Sequence, residues 1–186
     1  MRRLAAILAI LSCVLLCGCS GDDAAVQPAL DFRTSLLNAG GCTFSADVTA
    51  DYGEDFFSFS ADCAFDGKDG TITVTAPEEI EGISASINGD TAQLSFDGLT
   101  LALDDLGEGH AAPLELPWLL GSAWKSDYIS SVCKDGEAYR VTILKGYGDD
   151  TLQIDTWLEG GIPQSGEVSY QGSRLLAVTF RDFSLN

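Results

Sequence analysis

A regular alternation of apolar and polar residues begins near Cys42 and limits what this chain can fold into more than any other feature. Phe44 to Tyr52 and Phe57 to Phe65 each place an apolar residue at every second position, with a turn at Gly53-Glu54 between them. A period of two is typical of a half-buried β-strand, because successive side chains point to opposite faces of a sheet. The sequence therefore predicts two paired antiparallel strands with one apolar and one polar face.

The same pattern continues through most of the chain. Asn88-Gly89 and Asp97-Gly98 favour the positive φ angles of tight hairpin turns, and Gly160-Gly161-Ile162-Pro163 separates two later strands. The further alternating runs lie near residues 72–74, 83–88, 94–96, 99–103, 127–133, 137–145, 151–158, 166–171 and 174–183. This spacing predicts about ten strands in one antiparallel sheet.

Two segments depart from the period of two. Residues 29–38 carry Leu30, Phe32, Leu36 and Leu37 near one helical face, and Gly40-Gly41 ends that helix. Residues 113–124, with Pro117 as a helix-starting residue, predict a short helix or lid. A chain of 186 residues usually forms one domain, so the expected fold is α+β, with one sheet covered on one side.

The N-terminal residues have the pattern of a targeting signal rather than that of a folded segment. Arg2 and Arg3 precede Leu4–Cys17, an uncharged run that is shorter than the roughly 20 residues needed to span a bilayer. Leu16-Cys17-Gly18-Cys19 then resembles the bacterial lipobox, whose last Cys becomes the acylated N-terminus.

We therefore predict a lipoprotein signal peptide at residues 1–18, an acylated Cys19 with a polar tether at residues 19–28, and a folded domain at residues 29–186. The protein would be lipid-anchored to the cell membrane, on its extracytoplasmic face. The alternatives are an ordinary cleaved signal with chance cysteines and an uncleaved anchor.

Charge excludes one class of partner. The chain has 10 Lys and Arg against 28 Asp and Glu, and loss of Arg2 and Arg3 with the signal would leave 8 basic residues and a net charge near −20. A protein that binds nucleic acid needs basic residues to displace counterions from phosphates, so we expect no nucleic-acid partner. The net negative charge also repels surfaces of anionic lipid.

Three cysteines remain after processing, at positions 42, 63 and 133. An exported compartment permits disulfides. Cys42 and Cys63 lie directly opposite each other if paired residue numbers in the first hairpin sum to 105, whereas a sum of 107 places Cys42 against Phe65. We predict a Cys42–Cys63 disulfide, with free thiols as the alternative and Cys133 unpaired. Cysteines that bind a metal usually come as CxxC pairs or with histidines, so we expect no metal site and no cofactor.

The acidic pairs and the lone histidine have simple explanations. His110 lies in a glycine-rich stretch, and no hydrolase motif accompanies it. Asp104-Asp105, Asp149-Asp150, and Asp66 with Asp69 suit turns and solvated faces, although such carboxylates also occur in calcium sites and glycosidases. We therefore predict no catalytic residues and a protein that is not an enzyme.

The order of elements resembles the LolA/LolB lipoprotein-carrier superfamily over residues 29–186. The resemblance is one of pattern, and the segments that carry it are Phe32 with Leu36-Leu37 before Phe44-Ser45-Ala46, Pro77-Glu78-Glu79, Phe96-Asp97-Gly98-Leu99, Ile154-Asp155-Thr156 and Gly161-Ile162-Pro163. It implies an unclosed β-barrel around a hydrophobic cavity, with helices as a lid, that binds acylated molecules. The first strand has no arginine, whereas the family's soluble carriers use one there to hold the lid, so transfer of lipoproteins between membranes is not expected.

The apolar face of the predicted sheet supplies candidate ligand-binding residues. It carries more large side chains than one helix can cover, and the candidates are Phe44, Val48, Phe57, Phe59, Val74, Phe96, Leu101, Trp118 and Leu120. The leading hypothesis is a membrane-anchored domain that binds a lipid or acylated ligand in an apolar cleft. The alternative is that these side chains pack on one another, in a structural or interaction lipoprotein whose acidic outer face engages a cationic protein partner in the cell envelope.

Overall fold

The structure is a computed structural model, which describes residues 23–88, 91–103 and 112–186. The predicted signal peptide, Cys19, Asp104-Asp105 and His110 lie outside the described residues. The helices are α1 (Asp23–Ala39) and α2 (Leu116–Trp124), and short 3-10 helices cover Pro113–Glu115 and Gly148–Asp150. The strands are β1 (Cys42–Asp51), β2 (Phe56–Phe65), β3 (Gly70–Ala76), β4 (Ser84–Ile87), β5 (Ala92–Phe96), β6 (Leu99–Leu103), β7 (Ser131–Asp135), β8 (Ala138–Lys145), β9 (Leu152–Glu159), β10 (Ile162–Tyr170) and β11 (Ser173–Leu185).

The eleven described strands form one antiparallel sheet, in the order β6-β5-β4-β3-β2-β1-β11-β10-β9-β8-β7. The chain thus runs outward from β1 to the edge at β6, resumes at the opposite edge with β7, and returns to the centre, where β11 pairs with β1. Strands β6 and β7 do not pair with each other within the described residues. The predicted unclosed barrel is therefore confirmed, with eleven strands where about ten were expected.

Alternation decides which side chains enter the core. Along β1, the residues at even positions from Cys42 to Ala50 are buried, while Thr43, Asp47 and Asp51 are exposed. The inward residues of the other central strands join them in one apolar core. The described strands, the two described helices and this core lie between Asp23 and Asn186, and the sheet is continuous from edge to edge, so residues 23–186 carry the sheet, the helices and the core that the structure describes.

Helix α1 begins earlier and faces the core differently than expected. It starts at Asp23, so residues 23–28 of the predicted tether are helical, and Pro28 lies within it. Its buried residues are Ala29, Phe32 and Leu36, which follow the spacing of one helical face, whereas Leu30 and Leu37 are exposed. The prediction that all four apolar residues share one face was therefore wrong. Gly40 ends the helix with φ +86°, as the sequence indicated.

Helix α2 lies on the concave face of the sheet, against β2 and β3 on one side and β8 on the other. Two glycines allow this close approach. A Cβ at Gly70 would lie 2.5 Å from the backbone nitrogen of Trp118, and one at Gly121 would overlap the Phe65 ring. The predicted lid is thus packed directly against the inner surface of the sheet.

One predicted turn is shorter than expected. Only Gly160 and Gly161 form it, with φ angles of +58° and +82°, and Ile162 already pairs with Glu159 in β10. Pro163 follows within the strand, where the register shifts before Ser165. A bulge of this kind tolerates proline, which has no N–H to donate to the ladder.

Candidate ligand-binding site

The centre of the concave face is occupied by five aromatic side chains, which we call the aromatic plug: Phe32, Phe44, Trp124, Phe180 and Phe183. The Trp124 ring lies 5.5 to 6.1 Å, centroid to centroid, from each of the other four. Phe44 and Phe180 meet edge to face at 5.2 Å. These are the separations of aromatic rings in contact, so the plug fills the middle of the half-barrel.

The void that borders the plug within the described residues is small. A void of about 10 Å³ lies beneath α1, lined by Phe32, Trp124, Ile143 and their neighbours. Space of that size holds at most about one water molecule. The Trp124 indole also donates a 2.9 Å hydrogen bond from Nε1 to Thr156 Oγ1, which fixes the ring in place. An acyl chain cannot enter here without displacing side chains.

The nine predicted ligand-binding residues fall into two groups. Five are buried by protein contacts: Phe44, Val48, Phe59, Val74 and Leu120. The other four, Phe57, Phe96, Leu101 and Trp118, are partly or largely exposed to solvent. The structure therefore places the accessible candidates away from the centre of the cleft, toward its open edge and its ends.

The open edge of the sheet carries a continuous apolar surface, which we call the edge patch: Phe96, Leu99 and Leu101. Their exposed fractions are 46%, 77% and 56%. Phe96 pairs with Leu99 across β5 and β6, and Leu101 pairs with the partly buried Leu94, so all of them face the concave side. Sequence reasoning missed Leu99 as a site residue, although its parity within the strand matches that of Leu101.

A second aromatic group lies where β1 meets β2. The Phe57 ring is 6.2 Å from Tyr52 and 6.5 Å from Phe59, and it is 42% exposed. Burial raises the pKa of Tyr52 to about 12, and the negative charge of Glu115 adds to the effect. Tyr52 is therefore a neutral phenol at physiological pH.

A basic residue lies under the lid. Lys145 follows Val141 and Ile143 at inward positions of β8, and its Nζ lies 3.5 Å from the centroid of the Trp118 ring. It also donates a 2.6 Å hydrogen bond to Ser122 Oγ. Burial lowers the pKa of Lys145 to about 8, against an opposing effect of Glu115. Sequence reasoning missed this residue, although a lysine at an apolar position of a strand is a usable signal.

The lid is held by an arginine, but not one in the first strand. Arg33 of α1 donates from Nε to the carbonyl oxygen of Ser126 at 2.8 Å and to that of Lys125 at 3.3 Å, and it pairs with Asp127. These carbonyls follow the C-terminus of α2, where helices leave acceptors unsatisfied. Helix α1 therefore ties down the end of the lid.

The acidic candidates within the described residues are turn residues. Asp66 accepts hydrogen bonds from the backbone N–H groups of Asp69 and Lys68, and those bonds hold its pKa below the usual range. Asp149 and Asp150 are exposed in a short 3-10 helix. No group of three or more His, Cys, Asp or Glu residues in the described ranges is arranged to hold a metal ion.

The predicted disulfide is absent. Residues paired between β1 and β2 sum to 107, so Cys42 faces Phe65 and Cys63 faces Phe44. The two cysteines are diagonal neighbours on the inner face, and diagonal positions are about 7–8 Å apart, beyond the usual reach of a disulfide. Cys42, Cys63 and Cys133 are all free thiols.

Comparisons with known proteins are informative only at the level of structure. No protein-family model matches the chain, and no curated protein matches it either. Within the described part of the chain, no helix is both long and apolar enough to cross a membrane.

Several solved structures are similar to this one. A LolA superfamily protein from Nitrosomonas europaea is 8% identical, with a TM-score of 0.44, over 85% of this chain and 93% of that one. The lipoprotein LppX from Mycobacterium tuberculosis is 12% identical, with a TM-score of 0.41, over 88% and 96%. A chain from the complex of the CwlD amidase with the GerS lipoprotein, from Clostridioides difficile, is 13% identical, with a TM-score of 0.44, over 84% and 93%. The open sheet with helices on its concave face agrees with the unclosed barrel and helical lid that the sequence resemblance predicts.

Proposed function

We propose that this protein is a lipid-anchored, extracytoplasmic domain that binds the apolar part of a lipid or acylated ligand at the edge patch. The observation that carries the proposal is the exposure of Phe96, Leu99 and Leu101 on the concave side, in register across two strands. Large apolar side chains grouped in this way on a folded surface mark interaction sites. The aromatic plug keeps the ligand out of the centre, so the site is shallow.

A shallow site limits the affinity. Covering eight methylene groups at about 0.8 kcal/mol each contributes about 6 kcal/mol before ordering costs are subtracted. That corresponds to a dissociation constant of tens of micromolar or weaker. We therefore expect a ligand that exchanges readily rather than one that stays bound through purification by affinity alone.

The binding proposal is tested on residues 23–186, with a palmitoyl-linked, environment-sensitive fluorophore as the probe. Replacing Leu99 and Leu101 together by serine should weaken probe binding about tenfold or more, because two of the three exposed contacts are removed. Leu144→Ser is the matched control, since Leu144 is 41% exposed but lies at an outward position of β8. Equal probe affinity in all three proteins would contradict the proposed site.

Anchoring is proposed separately and rests on the lipobox. Cys19→Ala should prevent acylation and either release the protein from membranes or leave it unprocessed. The measurement is metabolic labelling with a radioactive fatty acid, followed by membrane fractionation. Unchanged labelling in the variant would exclude Cys19 as the acceptor.

The filled centre supports a second candidate function, a non-catalytic interaction lipoprotein. In that case the convex face meets a cationic partner, and exposed acids such as Asp47 and Asp62 lie on that face. Native mass spectrometry of residues 23–186, with organic extraction, separates the two candidates. Binding of an added lipid supports the first, and so does a lipid in the extract, which would also show tighter binding than the shallow site predicts. A protein that remains ligand-free at high lipid concentration supports the second.

A further inference from the structure

Lys145 is a cation that burial partly withdraws from water, and among the described residues its charge has no carboxylate partner at ion-pair distance. Three described arginines form ion pairs: Arg33 with Asp127, Arg174 with Glu167 and Arg181 with Asp47. Within the described residues, no carboxylate oxygen lies within 4.0 Å of Lys145 Nζ. An ammonium that is partly withdrawn from water without a counter-ion is costly, so this arrangement favours an incoming anion.

The geometry around Nζ leaves a donor for that anion. A lysine ammonium has three N–H groups. One donates to Ser122 Oγ at 2.6 Å, and the Trp118 ring covers another side of the ammonium at 3.5 Å. Ser122 gives its own hydroxyl hydrogen to the carbonyl oxygen of Leu119, so its oxygen can only accept from Lys145. Ser122 and Trp118 therefore position the ammonium without neutralising it.

The surroundings of Lys145 join it to the apolar side of the cleft. Trp118 lies between Lys145 and β3, where its backbone packs on Gly70. Gly70 pairs with Ile87, and Ile87 pairs with Ala92 of β5, the strand that also carries Phe96. The inner face of β3 to β6 thus continues from the lid to the edge patch.

We propose that the Lys145 ammonium binds the acidic headgroup, a carboxylate or a phosphate, of the amphipathic ligand whose apolar part lies on the edge patch. This inference rests on the proposed function and adds the chemistry of the headgroup. Ser122 and Trp118 act as positioning residues for Lys145.

Two electrostatic facts are consistent with this assignment. Burial lowers the pKa of Lys145 to about 8, so the group is still mainly charged at neutral pH, and a bound anion would stabilise the charged form. Glu115 is the described charged group whose field reaches Lys145, and one of its oxygens accepts from the Ala112 N–H at 3.3 Å. The net negative charge of the domain is screened within about 8 Å at physiological salt, so it does not exclude an anion that contacts Lys145 directly.

The experiment compares ligands that share one chain and differ in headgroup. Isothermal titration of residues 23–186, at neutral pH and below micelle-forming concentrations, uses octyl phosphate, octanoate, octanol and inorganic phosphate. We expect octyl phosphate and octanoate to bind about tenfold more tightly than octanol. Lys145→Gln should remove that preference and leave the affinity for octanol within about twofold of its original value. Lys134→Gln, the same change at an exposed lysine of β7, is the control and should keep the preference.

Each result has a defined meaning. If octanol binds but the two anions bind no better, or if Lys145→Gln keeps their advantage, the headgroup assignment is wrong while the proposed function stands. If none of the eight-carbon ligands binds, the proposed function itself fails. If inorganic phosphate alone binds as tightly as octyl phosphate and requires Lys145, the site takes free phosphate, and assignment to a lipid headgroup is overturned. Circular dichroism of Lys145→Gln confirms that the comparison is made on folded protein.

Discussion

Replacement of Trp124 by alanine tests most directly whether the centre of the half-barrel is filled. The side chain is 3% exposed and contacts the other four rings of the aromatic plug. Truncating a buried aromatic residue to alanine costs about 3–5 kcal/mol of unfolding free energy. The ring contacts and the hydrogen bond to Thr156 place this variant in the upper part of that range.

The assay is urea unfolding of residues 23–186, followed by circular dichroism. A loss of about 4–5 kcal/mol is a large share of the 5–15 kcal/mol that stabilises a typical domain, and it should lower Tm by roughly 10–15 °C. Thr156→Val is the control for the hydrogen bond. It leaves the indole in place and removes its acceptor, at a cost of about 1–3 kcal/mol.

A small effect of Trp124→Ala would refute the reasoning. A loss below about 1 kcal/mol would mean that the indole already borders open space, so that a ligand could enter the centre. The same variant offers a second readout, because the space it vacates should bind added indole and recover part of the lost stability. The unsubstituted protein should show no such stabilisation by indole.

Three further predictions concern the lid and the thiols. Gly70→Ala should destabilise the domain by about 2–3 kcal/mol in urea unfolding, since the added Cβ meets backbone atoms of α2. Gly166→Ala is the control and should cost less than about 1 kcal/mol, because its added Cβ only approaches a valine methyl, at 3.1 Å. Arg33→Ala should cost about 1–3 kcal/mol by leaving carbonyl oxygens beyond α2 without their donor, and amide exchange should accelerate in α2 before it does in the central strands. Thiol titration of residues 23–186 at pH 8 should find Cys42 and Cys63 unreactive in the folded protein, because burial raises the pKa of both thiols and that of Cys42 to about 12. In guanidinium without a reductant, all three thiols of residues 23–186 should react, whereas only one would react if a disulfide were present.

The distribution of apolar residues over the concave face explains how one fold can be closed at its centre and open at its edge. The central strands lie beneath both helices, and their inward residues, such as Phe44 and Ile72, are almost completely buried. Neither helix packs extensively on β5 and β6 among the described residues, and there Phe96 and Leu101 stay half exposed. The position of the two helices therefore sets which apolar side chains of the concave face stay exposed.

Local pattern was enough to predict the strands, and it was weaker for the helices. The alternation around Phe44 and Phe59 depends only on the pleat of a strand, which is a property of neighbouring residues. In the first helix, by contrast, Leu30 and Leu37 resemble Phe32 and Leu36 in composition. Only the angle at which the helix meets the sheet decided that Phe32 and Leu36 are buried. Leu30 and Leu37 are exposed for the same reason.

The sequence by itself determined the architecture: an antiparallel sheet with one apolar face, a lid segment between its two halves, and an acidic surface. Tertiary structure alone decided the register that separates Cys42 from Cys63 and the packing of five aromatic rings in the centre. It also decided the placement of Lys145 beneath the lid. The physical reason is the distance along the chain over which each feature is set. Alternation acts between adjacent residues. Strand register, the packing of the centre and the pairing of charges depend on groups that lie far apart in the chain and meet only when the sheet curves around the helices.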